Sequence, residues 1–357
     1  MIIKPIIPID LDKAGLRALA GALDHKVDAP IDRQKIQAAL RTDGAELGIC
    51  PEFRSIQPQF HVHVFDSLPS TSTRLWEMMA QGAGSGTVAI AQRQSSGRGQ
   101  RGRSWQSEPG GLYLSLALAP AWPIAHSALL TCCSAWGIAT ALNNLGLPVQ
   151  IKWPNDLFFA GKKLGGILTE TKLAQPTAEF SPGNIGDKAL PCITQAVIGV
   201  GINWHNWVPE TGITLAKIQK SMPGNAVPSK INCLEMLAAL VLKGILQGVY
   251  FQQQVGSQVF MKAYSDLLIQ IGKAVSIDSS SLFDSISESA FVQQSAANSP
   301  GAPVANCSGK VIGISEEGYL KVALEETIAR DTSDPIDCGI HQNTQILLLK
   351  PSEIHVD

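Results

Sequence analysis

Gly97-Arg98-Gly99-Gln100-Arg101-Gly102-Arg103 is the stretch on which the fold class turns. Gly97, Gly99 and Gly102 satisfy the G-x-G-x-x-G spacing of a dinucleotide-binding turn, in which the backbone approaches a pyrophosphate at a helix N-terminus. The surroundings do not fit that reading. A helix should open at the glycines, but Gly110, Gly111 and the strand-like run Leu112–Leu118 follow. An acidic residue should come about 20 residues on to hold a ribose. Between Met78 and Asn155 the one acid is Glu108. The same window holds Arg93, Arg98, Arg101, Arg103 and Lys152, so five cations less one acid give +4 inside a chain of net charge −2. Glycines allow close backbone approach and present N–H groups to an anion. Arginines add forked donors that match phosphate and carboxylate. The loop therefore reads as one that closes over a phosphorylated ligand. A solvated flexible loop and an Arg-Gly nucleic-acid patch are the competing readings.

Downstream, Ile151-Lys152-Trp153-Pro154-Asn155-Asp156-Leu157 ends a strand with five unlike residues in a row. Lys152 follows apolar alternation, so its stem is expected to be partly buried. A buried ammonium is costly unless it meets an anion; the alternative is a lysine that reaches back to water. Asn155 and Asp156 are turn formers, and Asp156 reads as structural. Phe158–Thr169 is expected to turn at Ala160-Gly161 and return as a hairpin. The returning strand carries Gly165-Gly166, and Gly199-Val200-Gly201 repeats that signature in the apolar run Ile193–Ile202. Glycines inside strands imply a ligand or another backbone pressed close.

The rest of the chain frames these motifs. Its 357 residues predict about two domains, and 45% hydrophobic against 16% charged residues excludes disorder of the whole chain. A net charge of −2 gives no overall basic balance for nucleic acid or anionic membrane. Seven cysteines without a C-x-x-C pair predict buried, reduced thiols. The N-terminus lacks the long apolar core of a signal peptide. Leu112–Leu142 is interrupted by Pro120, Pro123 and His126 and reads as too broken to cross a membrane. A cytoplasmic protein is expected. Helical patterns occupy Leu11–Leu23, Ile31–Leu40, Thr71–Ala80, Ser127–Leu145 and Ile231–Tyr264. Strand patterns occupy His61–Asp66, Thr87–Ala91, Leu112–Leu118, Val149–Trp153 and Ile193–Ile202, then Lys310–Ala323 and Gln345–Leu349. The fold class is α+β, with a small all-β tail. Residues 1–60 form an N-terminal extension of undecided role. Residues 61–270 are expected to form the main α+β domain, which holds the motifs above, with an insertion at 173–191. Residues 271–357 form the β tail, with a flexible insertion at 279–307.

Taken together and in this order, GRGQRGRSW, LYLSL, KWPNDL, KLGGIL and IGVGIN resemble the biotin–protein ligases, also called holocarboxylase synthetases. The resemblance runs from about Asp66 to Asn203 and more faintly to the end. It implies a catalytic domain related to class II aminoacyl-tRNA synthetases, followed by an SH3-like barrel. It implies that Ser70, Thr71 and Ser72 touch the biotin rings, with Ser72 standing where relatives carry asparagine. Gln94 falls on the glutamine that bonds the ureido group. Arg98, Gly99 and Gln100 fall on the binding loop, beside Arg101, Arg103 and Trp105. Gly165, Gly166 and Gly201 join this substrate-binding set. Lys152 and Arg98 take the catalytic positions. Gln100 departs from the arginine of many bacterial members. The implied reaction activates biotin with ATP and Mg²⁺ to biotinyl-5′-AMP, with no metal fixed by the protein alone. Biotin then passes to a lysine of a biotin carboxyl carrier protein, such as that of acetyl-CoA carboxylase. A homodimer is left open.

Two alternatives remain. A lipoate–protein ligase shares the fold and the adenylation, but GRGQRGR and KWPND disfavour it. A bifunctional ligase and DNA-binding repressor would need an N-terminal winged helix. Around Ile31–Leu40 only Arg33, Lys35 and Arg41 offer a basic surface, so no DNA binding is expected.

Overall fold

The computed structural model describes residues 30–174, 191–222, 231–277, 307–324 and 346–349. The expected helix Leu11–Leu23 and nearly all of both expected insertions lie outside these. The chain divides into two compact units, Met1–Gln254 and Val255–Asp357.

The first unit is built on one mixed sheet. Its strands are β1 (His61–Leu68), β2 (Thr87–Gln94), β3 (Leu112–Leu118), β4 (Trp122–Pro123), β5 (Gln150–Lys152), β6 (Asp156–Phe159), β7 (Lys162–Ala174) and β8 (Cys192–Ile202). The order is β1-β2-β3-β8-β7-β6-β5, with β4 on β8. Only β1 and β2 run parallel, joined through helix α2 (Thr71–Ala80); the other pairs are antiparallel. The hairpin between β6 and β7 turns at Ala160 and Gly161, both left-handed at φ 47° and 76°.

The centre of the sheet is covered on both faces, which is why β8 reads as a near-continuous apolar run. Val197 packs with Leu75 and Met79 of α2 and with Ala89 and Ala117 of the neighbouring strands. Two-residue periodicity puts Gly199 and Gly201 on that same face, further along β8. Helix α3 (Ser127–Asn144) packs on β5, β6, β7 and β8. Its small residues let α5 (Leu234–Ser265) approach closely. A Cβ at Gly137 would collide with the Gly244 carbonyl, and one at Gly248 with the Cys133 carbonyl. Cys132 and Cys133 are buried there, and burial raises the Cys133 thiol pKa well above its ordinary value. Between them lie α4 (Leu215–Ser221) and the loop after β8.

One expectation needs correcting. Pro120 and Pro123 break the apolar stretch Leu112–Leu142 only before α3, so an unbroken apolar segment remains beyond them. The stretches Ile124–Asn144 and Leu234–Ser265 are each long and apolar enough to cross a membrane. In their most apolar windows, 67% and 78% of the residues are buried inside the protein, so their apolar character is already used in packing.

Helix α1 (Arg33–Leu40) is capped by Asp32, whose carboxylate accepts from the Gln34 and Lys35 amides. The segment that follows buries Leu47, Ile49 and Phe53. It is tied to α3 and α5 by hydrogen bonds from Asn144 to the Gly48 carbonyl and from the Cys50 amide to Gln247. Residues 31–53 thus belong to the packing of the first unit.

In the second unit α5 breaks at Gly256, which is left-handed at φ 78°. Four antiparallel strands follow, β9 (Ala274–Ile277), β10 (Cys307–Ile314), β11 (Leu320–Leu324) and β12 (Ile346–Leu349), in the order β12-β11-β10-β9.

Candidate active site

A cleft opens on the sheet face that carries Gly199 and Gly201. Its neutral end is made where α2 begins. Ser70 caps that helix, its hydroxyl accepting from the Thr73 amide at 3.5 Å. Thr71 and Ser72, the first two helical residues, are buried against the sheet. Gln94 closes β2 beside them. Its side-chain oxygen accepts from the Thr71 amide at 2.8 Å and the Thr71 hydroxyl at 3.1 Å. Its side-chain nitrogen donates to the Ser107 hydroxyl at 2.8 Å. Ser115 of β3 joins this group, bonded to Thr71 at 2.8 Å and Ser72 at 3.0 Å. Gly199 is required opposite: a Cβ there would lie 2.7 Å from the Ser72 hydroxyl.

The arginine–glycine loop forms the other end. It folds back on itself: the Gly99 amide donates to the Arg103 carbonyl at 2.7 Å, and the Trp105 amide to the Gly97 carbonyl at 2.9 Å. Arg101 and Gly102 take left-handed conformations at φ 58° and 71° to make the reversal. Partial burial, and then repulsion from Arg103, lowers the Arg101 pKa below its ordinary value. Arg98 is held by an ion pair to Glu170 of β7, whose same oxygen accepts from the Trp76 indole at 3.3 Å.

Trp105 returns from the loop onto the sheet. A Cβ on Gly201 would overlap its indole ring, and one on Gly166 would lie 3.4 Å from it. These strand glycines therefore make room for a tryptophan, and the cleft lies alongside. The indole N–H is buried without a hydrogen-bond partner in the protein. Above the ring, at 5.3 Å from its centre, stands the ammonium of Lys163, which is paired to Asp156 at 2.7 Å. Asn155 pins the turn beneath by donating to the Ile167 carbonyl at 2.6 Å and accepting from the Ile167 amide at 2.9 Å. The peptide before it, Trp153–Pro154, is cis.

Of the residues expected from sequence, Ser70, Thr71, Ser72, Gln94, Arg98, Gly99, Gln100, Arg103, Trp105, Gly166 and Gly201 line this cleft together. Lys152, Arg101 and Gly165 are not among its lining. Lys152 stands across the β5–β6 pair from Asp156. Sequence reasoning passed over Lys163 and read Asn155 and Asp156 as turn residues, with Asp156 a possible but less favoured general base; all three line the cleft. Lys163 sits in the same KLGGIL stretch as the glycines, and its separation by seven residues from Asp156 across a hairpin was the available signal. Among the described residues no group of three or more His, Cys, Asp or Glu side chains could hold a metal.

The cleft is thus lined both by hydroxyl and amide groups and by Arg98, Arg103 and Lys163. Such a site suits a ligand with an uncharged polar head and an anionic tail. Residues 64–181 match the biotin/lipoate A/B protein ligase family, and the resemblance to biotin–protein ligases read from the motifs is borne out. The bifunctional ligase/repressor BirA of Bacillus subtilis is 27% identical over 281 residues, covering 78% of this chain and 74% of that protein. BirA of Escherichia coli is 39% identical over 150 residues, 40% of each chain. The solved biotin protein ligase of Aquifex aeolicus in complex with biotin and ATP shares the fold. It is 22% identical, at a TM-score of 0.50, covering 74% of this chain and 93% of that one.

Proposed function

We propose that the protein is an ATP-dependent biotin–protein ligase. The observation that carries this is a single cleft lined both by neutral hydrogen-bonding side chains, Thr71, Ser72 and Gln94, and by the cations Arg98, Arg103 and Lys163. The relatives' names supply the chemistry: ligases, one solved with biotin and ATP. In the proposed reaction the biotin carboxylate attacks the α-phosphate of ATP, releasing pyrophosphate and leaving biotinyl-5′-AMP. A lysine amine of a carrier domain then attacks the acyl carbon and displaces AMP.

Two anions must meet in the first step, so their repulsion is the main electrostatic obstacle. Lys163 and Arg98 offset it from inside the cleft, and Arg103 adds charge at the rim. Lys163 is steered by Asp156 and by the Trp105 ring. Mg²⁺ travels with ATP as its counter-ion. Catalysis here consists of positioning and charge stabilisation, with no protein nucleophile. A relative called biotin–[acetyl-CoA-carboxylase] ligase, from Paracoccus denitrificans, supports a carboxyl carrier domain as the acceptor. The same reading makes the first unit a class II synthetase-like catalytic domain and the second an SH3-like barrel.

Mass spectrometry of a carrier domain incubated with protein, biotin and ATP tests the proposal. One added biotinyl group is expected. An unmodified carrier, or a lipoyl adduct formed in preference when lipoate is supplied, would overturn it. We also propose no specific DNA binding, since the sequence around Ile31–Leu40 offers only Arg33, Lys35 and Arg41 as a basic surface. Sequence-dependent, salt-resistant retardation of duplex DNA at nanomolar protein would count against that part.

A further inference from the structure

We infer that Ser115, which need not touch the ligand, fixes the polarity of the neutral end of the cleft, so that Ser72 can only accept a hydrogen bond there. The inference rests on the biotin reading and concerns how a cyclic urea is told from other acyl acids.

The direction of every proton in this group follows from one backbone amide. The Thr71 amide can only donate, so the Gln94 atom it meets is the carbonyl oxygen. The Thr71 hydroxyl, bonded to that same oxygen, must also donate. The oxygen of Thr71 is then left to accept, and it accepts from Ser115. The single proton of Ser115 is thereby used. The bond between Ser72 and Ser115, whose direction geometry alone leaves open, must run from Ser72 to Ser115. The proton of Ser72 is used in turn, and what Ser72 shows the cleft is lone pairs. At the other side, Ser107 donates to the Trp105 carbonyl, so it accepts from the Gln94 nitrogen. One N–H of Gln94 remains.

Of the relay's own groups, one acceptor, Ser72, and one donor, Gln94, face the cleft, beside the Ser70 hydroxyl, which accepts from the Thr73 amide and keeps its proton. A urea or cyclic amide offers the complementary donor and acceptor. A dithiolane ring offers neither. Ser115 is fully buried in β3, so solvent cannot reset the relay, and Ser72 is only 4% exposed. Removing the Ser115 hydroxyl frees the Ser72 proton to turn toward the cleft and leaves Thr71 without a donor.

The test measures biotinylation kinetics of Ser115→Ala, Ser115→Thr and wild type, with biotin and with its imino analogue, whose ring carbonyl is replaced by a protonated C=NH. Ser115→Ala should raise KM for biotin about tenfold, the effect of one misdirected hydrogen bond. It should leave kcat and the KM for ATP within about twofold and leave the preference for biotin over the analogue, which Gln94 reads, unchanged. Ser115→Thr, which keeps the hydroxyl, should restore the biotin KM. An unchanged biotin KM in folded Ser115→Ala would overturn the inference, as would a parallel fall in kcat that threonine does not rescue. Should Ser115→Ala not fold, Ser72→Ala carries the test: a loss of biotin affinity supports the relay and an unchanged affinity sinks it. Wild type that fails to bind biotin would instead overturn the proposed function.

Discussion

The two ends of the cleft are built on opposite principles. At the neutral end Ser72 and Ser115 are buried, and their hydrogen bonds are satisfied within the protein before any ligand arrives. At the cationic end Arg98 is 40% exposed and paired to Glu170, itself 28% exposed. An ion pair that open to water contributes about 0–1 kcal/mol. A buried hydroxyl left unsatisfied costs about 1–3 kcal/mol. On the proposed function, the difference would let the head of the ligand meet a preformed site, whereas its phosphate would take Arg98 from a weakly held internal partner.

The sharpest way to break this comparison is at Lys163, the lysine that lines the cleft beside Arg98 and Arg103. Lys163→Ala should slow pyrophosphate release by roughly 10²-fold or more, about 3 kcal/mol. Lys152→Ala, on β5 two strands from Lys163, tests whether the second lysine acts on the same phosphate. Equal losses in the two variants would place Lys152 there with Lys163, and a loss below about tenfold in Lys152→Ala would leave the role to Lys163.

A smaller but still large effect is expected at Gly201. Gly201→Ala puts a methyl group into the Trp105 ring, and overpacking of this kind costs about 1–3 kcal/mol. Thermal unfolding should show the loss, and biotin affinity should fall with it. Undiminished affinity and stability would mean that Trp105 has room to move.

Gln100 lines the cleft and is neutral where many relatives carry arginine. A charged hydrogen bond to phosphate outweighs a neutral one by about 1–2 kcal/mol. Gln100→Arg should therefore slow release of preformed biotinyl-adenylate by up to about tenfold in stopped flow. Equal rates would show that Arg103 already takes that contact.

The mildest effect belongs to the weak ion pair. Glu170→Gln frees Arg98 and should tighten ATP binding by about two- to fivefold, with the gain shrinking as salt rises. Weaker binding instead would make Glu170 a support for Arg98 and not a competitor of the phosphate.

Much of this protein was legible in its chain. The alternation of β1 and β3, the apolar run of β8, the small-residue helix α3 and the turn at Ala160-Gly161 follow from local periodicity and turn chemistry, which a sequence states directly. The rejection of a dinucleotide fold also came from the chain alone, because the missing helix and missing acid are sequence facts. Eleven of the fourteen expected site residues line the cleft, since their motifs mark places where glycine, arginine or a capping serine is locally necessary. What only the tertiary structure decided is which side chains meet. Lys152 and Lys163 look alike in the sequence. The pairing of β6 with β7, shifted at Leu157 and Phe158, sets Lys163 beside Asp156 and over the Trp105 ring. The strand glycines signalled a close approach, but that Trp105 comes to Gly201 from a loop 96 residues earlier is a long-range contact. Ser115, one small residue in an apolar strand, carries no local signal. Its role arises because β3 lies between β2 and β8, where its hydroxyl reaches both Thr71 and Ser72. Local physics writes elements and turns into the chain; register and close approach are settled only when distant elements pack.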